Sequence, residues 1–187
     1  MPDYVPGLVS IIITTCKREM PVLECALSSA EGQTYTDCEI IIVNDFPEYE
    51  GKIRELLKDH KKVIFISNAS QSGACISRNR GAAAAKGEYI AFLDDDDKWY
   101  RNKIEMQMNE VLADTGLVYC DYEAVMDGKT LKKDADRAFP EGDVLQELLA
   151  GNFIGGCSIP LIKHKVFDEC GKFASALRSC QDIDLWF

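Results

Sequence analysis

Four short β-branched runs, at residues 8–14, 38–44, 63–66 and 89–93, alternate with segments of helical apolar spacing. No other feature narrows the fold as much. The runs LVSIIIT, CEIIIVN and VIFI are almost continuously apolar. A strand wet on one face alternates instead, so these predict strands covered on both faces, the habit of parallel sheets. Between the first two runs, Pro21 sits just inside a helical stretch in which Leu23, Ala26, Leu27 and Ala30 recur at three- and four-residue spacing, ending near Gly32. Ile53, Leu56 and Leu57 mark a second helix, and an Ala-rich helix over residues 73–86 has Gly87 as its predicted stop. A βαβαβαβ series predicts an α/β fold with a mostly parallel central sheet and helices on both faces.

The second half is less regular. Residues 99–114 read as a helix, with Ile104, Met108, Val111 and Leu112 on one side. Residues 117–125 read as a strand, and DGK at 127–129 signals a hairpin turn. The charged stretch KKDADR at 132–137 is a predicted loop, residues 144–149 a short helix, 157–162 a strand and 166–170 a helical turn. No repeat or linker interrupts the chain, so its 187 residues are expected to form one domain with a mixed, irregular C-terminal part.

Charge excludes several partner classes. Lys and Arg total 21 against 31 Asp and Glu, a formal net charge of -10. Generic attraction to nucleic acid or anionic lipid then has the wrong sign. The longest uncharged stretch, residues 148–162, contains Asn152 and three glycines and is too short for a membrane span. Residues 1–7 lack the basic and apolar regions of a signal peptide, so a cytoplasmic location is expected. The eight cysteines form no CxxC pair and several lie in apolar runs, which fits reduced, buried thiols. Only His60 and His164 are present, so zinc sites and histidine triads are disfavoured. Carboxylates are left to carry the chemistry.

Asp94, Asp95, Asp96 and Asp97 directly follow the fourth strand run. Ligands of open parallel sheets bind at the carboxyl ends of strands. Four adjacent carboxylates repel one another, and a divalent cation would offset that; an all-oxygen set suits magnesium or manganese. The same run also suits a helix N-terminus, with Asp97 capping a helix near Trp99. Thr14 and Asp45 close the first two strands at the same edge. An Asp there can accept from a base or ribose hydroxyl, or simply serve the turn. Gly73 opens the third helix, where Arg78 or Arg80 could meet a phosphate or remain surface arginines. Asp182 and Asp184 read as helix-start acids unless the fold brings one to the strand ends.

Together these pieces resemble family 2 glycosyltransferases of the GT-A, Rossmann-like fold. The matching motifs are SIIITTCKRE (10–19), EIIIVND (39–45), NASQSGACISRNRGAAAAKGEYIAFLDDDD (68–97), NFIGGCSIPLIKHKVFDECGKF (152–173) and QDIDLW (181–186). The resemblance implies a nucleotide-diphospho-sugar donor, a UDP-sugar foremost, held with Mn or Mg. It assigns Thr14 and Asp45 to the nucleobase and ribose, and Arg78 to the neighbourhood of the diphosphate. It makes Asp94, Asp95 and Asp96 the DxD element, with Asp96 the direct metal ligand and Asp94 or Asp95 meeting ribose or metal through water. Asp182 is then the catalytic base of an inverting transfer to a carbohydrate or lipid-linked acceptor. Residues 1–97 become a nucleotide-binding half and 98–187 an acceptor-side half, expected to continue beyond Phe187. Membrane contact is expected to be at most peripheral, at the inner face. Asn44 stands where many relatives carry another Asp, and Gln181 where they carry Glu. A sugar nucleotidyltransferase and a non-catalytic sugar-nucleotide-binding fragment are the alternatives. The first would have a Gly-rich basic loop after strand one, and TTCKR has no glycine.

Overall fold

The computed structural model describes residues 4–126, 128–131 and 139–187. The predicted loop at 132–137, and Asp127 of the predicted turn, lie outside the described residues. Strands β1 (Val5–Thr15), β2 (Cys38–Asn44), β3 (Val63–Ser67) and β4 (Gly87–Asp94) are parallel, in the order β3-β2-β1-β4. Three helices connect them: α1 (Met20–Glu31), α2 (Glu50–Leu56) and α3 (Ala74–Ala84). After α4 (Lys103–Asn109) come β5 (Leu117–Val118), the hairpin β6 (Ala124–Met126) and β7 (Lys129–Leu131), and α5 (Leu145–Ala150). Then β8 (Leu161–Lys163) lies antiparallel between β4 and β5, followed by α6 (His164–Glu169) and α7 (Gln181–Trp186).

Both faces of the sheet are covered, which is why its strands read as unbroken apolar runs. Ile11 and Ile13 of β1 pack with Ile40, Ile42, Ala91 and Leu93 against Leu23 and Leu27 of α1, Ile53 of α2 and Ile104 of α4. Ile12, Ile41, Val43, Ile90 and Phe92 point the other way, against Cys75 and Ala82 of α3 and Phe167 of α6. The period of two simply sends alternate apolar residues to opposite layers.

Gly87 is not the stop of α3. That helix ends at Ala84, Ala85 after it is in extended backbone, and Gly87 is the first residue of β4. A Cβ at Gly87 would lie 2.6 Å from the Leu8 carbonyl oxygen and 2.7 Å from Ser10 Oγ. Glycine is therefore required by the close approach of β4 to β1. Gly87→Ala is expected to destabilise the fold by about 2 kcal/mol, the order of an overpacked core site, read as a lower urea midpoint with unchanged slope.

Three expectations in the second half are corrected. The helix over 99–114 shrinks to Lys103–Asn109. Trp99 is drawn into the core, where its backbone N–H donates to Ser29 Oγ (3.2 Å) and its indole N–H to the Ser158 carbonyl (2.7 Å). Asp97 therefore caps no helix; its N–H donates to the Asp94 carbonyl in a turn. The strand over 117–125 splits, with Leu117–Val118 joining the sheet and Ala124–Met126 turning into the hairpin. The strand over 157–162 reduces to Leu161–Lys163, because side chains take the carbonyls before it: Trp99 that of Ser158, and Gln107 that of Ile159 (3.0 Å).

Candidate active site

Strand register fixes the site. Thr14 pairs with Asp94, and Thr15 with Asn44, so the carboxyl ends of β1, β2 and β4 finish level. β1 is the turning point: β2 and β3 extend to one side and β4 to the other, which opens a crevice at the strand ends. A cleft of about 290 Å3 lies there, lined by Thr14, Asp45, Arg78, Asp94, Asp95 and Asp96 among others. Every residue assigned to the donor from sequence thus meets in one cleft.

Asp45 is 4% exposed and densely bonded. Its Oδ1 accepts from Asn68 Nδ2 (2.7 Å) and the Ser72 N–H (2.8 Å), and its Oδ2 from the Gly73 N–H (2.8 Å). Burial pushes this carboxyl up, but the bonds from Ser72, Asn68, Gly73 and Ser77 outweigh it and hold it below its ordinary range. Asp45 therefore ties the end of β2 to the turn that launches α3. Gly73, at φ +94°, supplies the left-handed backbone that the turn needs.

Arg78 and Arg80 part company along α3. Arg80 turns to Asn68 Oδ1 (2.6 Å) and the Ser67 carbonyl. Arg78 is buried and faces the cleft, donating to Asp94 Oδ1 (2.7 Å) and to Gln181 Oε1 (3.1 Å), with its guanidinium 5.4 Å from the centre of the Phe173 ring. Its Nε–H is buried with no hydrogen-bond partner among the described residues. One fixed cation thus joins β4 to the first turn of α7.

The four aspartates are differentiated by their surroundings. Asp94 pairs with Arg78, and its N–H donates to Ser158 Oγ (2.9 Å). Asp95 and Asp96 are both held by Arg18, through Nε to Asp95 Oδ1 (2.8 Å) and Nη2 to Asp96 Oδ2 (2.9 Å). Desolvation, then its three acidic neighbours, raise the Asp97 carboxyl, against a hydrogen bond with Ser158. Burial pushes the Cys157 thiol up to about 12 and, followed by Asp45, raises that of Cys16. Thiolate chemistry has no support at this edge.

Among the described residues, no three His, Cys, Asp or Glu groups form a ready metal cage. A magnesium- or manganese-type ion does not need one, since it commonly takes one or two carboxylates and completes its shell with water and substrate phosphate. Asp95 and Asp96 fit that donor set, and the Arg18 guanidinium already places a positive charge on their oxygens.

Sequence reasoning missed Arg18 and Ser158. A signal for Arg18 was present: four carboxylates at a strand end call for a counter-charge, and Lys17-Arg18 follow the adjacent strand. Ser158 had none, since its role depends on the 64-residue separation from Asp94. Asp182 is half-buried in the first turn of α7, next to Gln181 and within electrostatic reach of Cys157, as are Arg78 and Asp94. Asp184, further along, is exposed.

Known proteins resemble the chain in sequence and in fold. The family model described as Glycosyl transferase family 2 matches residues 10–179. An uncharacterized glycosyltransferase of Rickettsia felis is 36% identical over 192 residues, covering 98% of this chain and 31% of its own length. Escherichia coli UDP-Glc:alpha-D-GlcNAc-diphosphoundecaprenol beta-1,3-glucosyltransferase WfgD is 31% identical over 134 residues, covering 71% of this chain and 51% of its own. The chain thus spans a third to a half of these two relatives. Among solved structures, S. aureus TarS superposes with a TM-score of 0.73 at 18% identity, over 94% of this chain and 32% of TarS. Mannosyltransferase PcManGT from Pyrobaculum calidifontis, in complex with GDP-Man and Mn2+, gives 0.67 at 17% identity, over 90% of this chain and 48% of its own. These likenesses show the GT-A fold. Since the family match runs from β1 almost to α7 and takes in the whole cleft, the chain belongs to glycosyl transferase family 2.

Proposed function

We propose that the chain transfers a sugar from a nucleotide-diphospho-sugar, a UDP-sugar foremost, to an acceptor hydroxyl with inversion, assisted by Mn or Mg. The observation that carries this reading is the single cleft at the ends of β1, β2 and β4, tied through Arg78 and Gln181 to the turn bearing Asp182. Residues 1–97 hold the donor and 98–187 form the acceptor side. Thr14 and the Asp45 turn face the nucleoside, Arg78 the diphosphate, Asp95 and Asp94 the ribose or a metal-bound water, and Asp96 the metal. A divalent cation, when bound, neutralises charge that builds on the departing diphosphate. Asp182 takes the proton of the acceptor hydroxyl as its oxygen attacks the anomeric carbon from the face opposite the diphosphate. One C–O bond forms as the C–O bond to phosphate breaks, the proton ends on Asp182, and a single displacement inverts the anomeric centre.

The name of WfgD, with its UDP-sugar and diphosphoundecaprenol-linked acceptor, supports a role in surface polysaccharide or glycolipid assembly. Among the described residues no helix is long and apolar enough to cross a membrane. Val125, Met126 and Leu131 of the hairpin and Leu145 and Leu149 of α5 are exposed apolar side chains on the acceptor half. They suit peripheral work at the inner face on a lipid-linked acceptor.

Calorimetric titration of UDP, GDP, CDP and dTDP, with and without manganese, tests the donor site. One nucleotide is expected to bind in a manganese-dependent way. Asp96→Ala should weaken it about 100-fold, the order of a lost charge-assisted contact. Equal binding to the variant would remove Asp96 from the site, and no nucleotide binding under any condition would sink the reading.

A further inference from the structure

Two arginines reach the aspartates at the end of β4, and they are held very differently. Arg78 is buried against Phe173 and bonded at both ends, to Asp94 and to Gln181. It is a fixed cation that lines the cleft at the diphosphate side without leaving its partners. Arg18 lies in the connection between β1 and α1, with 36% of its side chain exposed, and among the described residues its ion pairs are to Asp95 and Asp96. Next to it Lys17 adopts a left-handed conformation at φ +57° and sets its ammonium 4.6 Å from the centre of the Phe46 ring. Lys17 is thus turned towards Phe46 and Arg18 towards the aspartates, with the Arg18 side chain open to water.

We propose that Arg18 is an exchangeable counter-ion: in the free protein its guanidinium holds Asp95 and Asp96, and on donor binding it moves to the diphosphate and releases those oxygens to the divalent cation. This rests on the reading of Asp95 and Asp96 as cation-side residues. The buried Asp95 needs a positive neighbour whether or not donor is bound, since an unpaired buried carboxylate is costly. A guanidinium and a divalent cation cannot share the same carboxylate lone pairs, because they compete for one acceptor and repel each other. A cation arriving alone must therefore displace the guanidinium from Asp95 Oδ1 and Asp96 Oδ2, or bind the remaining oxygens against its repulsion, without replacement for what is lost. A diphosphate arriving with it offers paired oxygens that match the guanidinium fork, so Arg18 loses one anionic partner and gains another. Cation and donor then bind with positive coupling, and by linkage each tightens the other equally.

Manganese titration of the free protein and of its UDP complex tests this, on wild type, Arg18→Gln, Arg18→Lys and Asp96→Asn. Thermal denaturation shows that each variant is folded. In wild type, UDP is expected to tighten manganese about tenfold or more, within the ~5–150-fold range of couplings between sites. In Arg18→Gln, manganese alone should bind about tenfold tighter than to wild type, and the gain on adding UDP should fall below about threefold. Arg18→Lys should retain part of the coupling. Manganese affinity that is unchanged or weaker in Arg18→Gln without UDP would overturn the exchange. If Asp96→Asn still abolished UDP-dependent manganese binding, the donor-site reading would survive that failure. Absence of manganese binding to every protein, with UDP still binding, would overturn both the exchange and the cation assignment while leaving the nucleotide site.

Discussion

Asp182→Asn is expected to lower turnover about 10²–10⁴-fold, the range for a positioned general base, with donor affinity within about twofold of wild type. Asparagine keeps the size and hydrogen-bonding shape of the side chain but cannot take the acceptor proton. The first turn of α7 should survive the change. That turn is held by Gln181, which accepts from Arg78 (3.1 Å), and the far end of α7 by Trp186, whose indole N–H donates to the Gly155 carbonyl (3.2 Å). Loss of rate with intact donor binding therefore separates chemistry from collapse of the helix.

The neighbouring acid supplies the control. Asp184 sits in the same first turn but is exposed, and its electrostatic influence falls on Cys75 of α3. Asp182 instead influences Cys157, which Arg78 and Asp94 also reach. Asp184→Asn is accordingly expected to leave turnover within about threefold, the range of a surface change that touches no reacting group. Initial rates with a nucleotide-sugar donor decide it. Equal losses at both positions would point to a general charge effect of α7, and unchanged turnover in Asp182→Asn would remove it as the base.

The half of the molecule that was legible in sequence is the half whose signals are local. β2 runs over Cys38–Asn44 as its β-branched run predicts, because a strand buried on both faces needs nothing beyond its own apolar residues. Asp45 and Asp94 were placed at the strand ends by position alone, and register then brought Thr14 level with Asp94. The losses are at residues whose partners lie far along the chain. The helix expected from Trp99 begins only at Lys103, since Trp99 bonds to Ser29 and Ser158, 70 and 59 residues away. Arg18 shows the same limit. Its charge was visible, but its direction depends on a left-handed Lys17 and on aspartates 77 and 78 residues on. Helical periodicity carries no information about such pairings.

Lys103→Met is expected to stabilise the protein, and to do so in a pH-dependent way. Lys103 is buried on α4; its Nζ has no hydrogen-bond partner among the described residues and lies 4.0 Å from the centre of the Trp99 ring. Burial lowers its pKa from 10.5 to about 7, with Cys120 opposing the drop. The ring face favours the ammonium but by only about 0.5–2 kcal/mol, too little to offset its desolvation. Because the folded value lies below the unfolded one, the unfolded chain binds a proton that the folded chain lacks between about pH 7 and 10.5. Stability therefore rises with pH across that window, and the penalty of the buried amine is full below pH 7. Methionine keeps the apolar stem, loses the charge and is a good helix former. At pH 7.5 the variant should be more stable by about 3 kcal/mol, and the gain should shrink below about 1 kcal/mol by pH 10. Urea denaturation of both proteins at four or five pH values reads the difference directly, cancelling the titration of groups common to both. A difference independent of pH, or a less stable variant at pH 7.5, would mean that the ammonium is retained and satisfied in the fold.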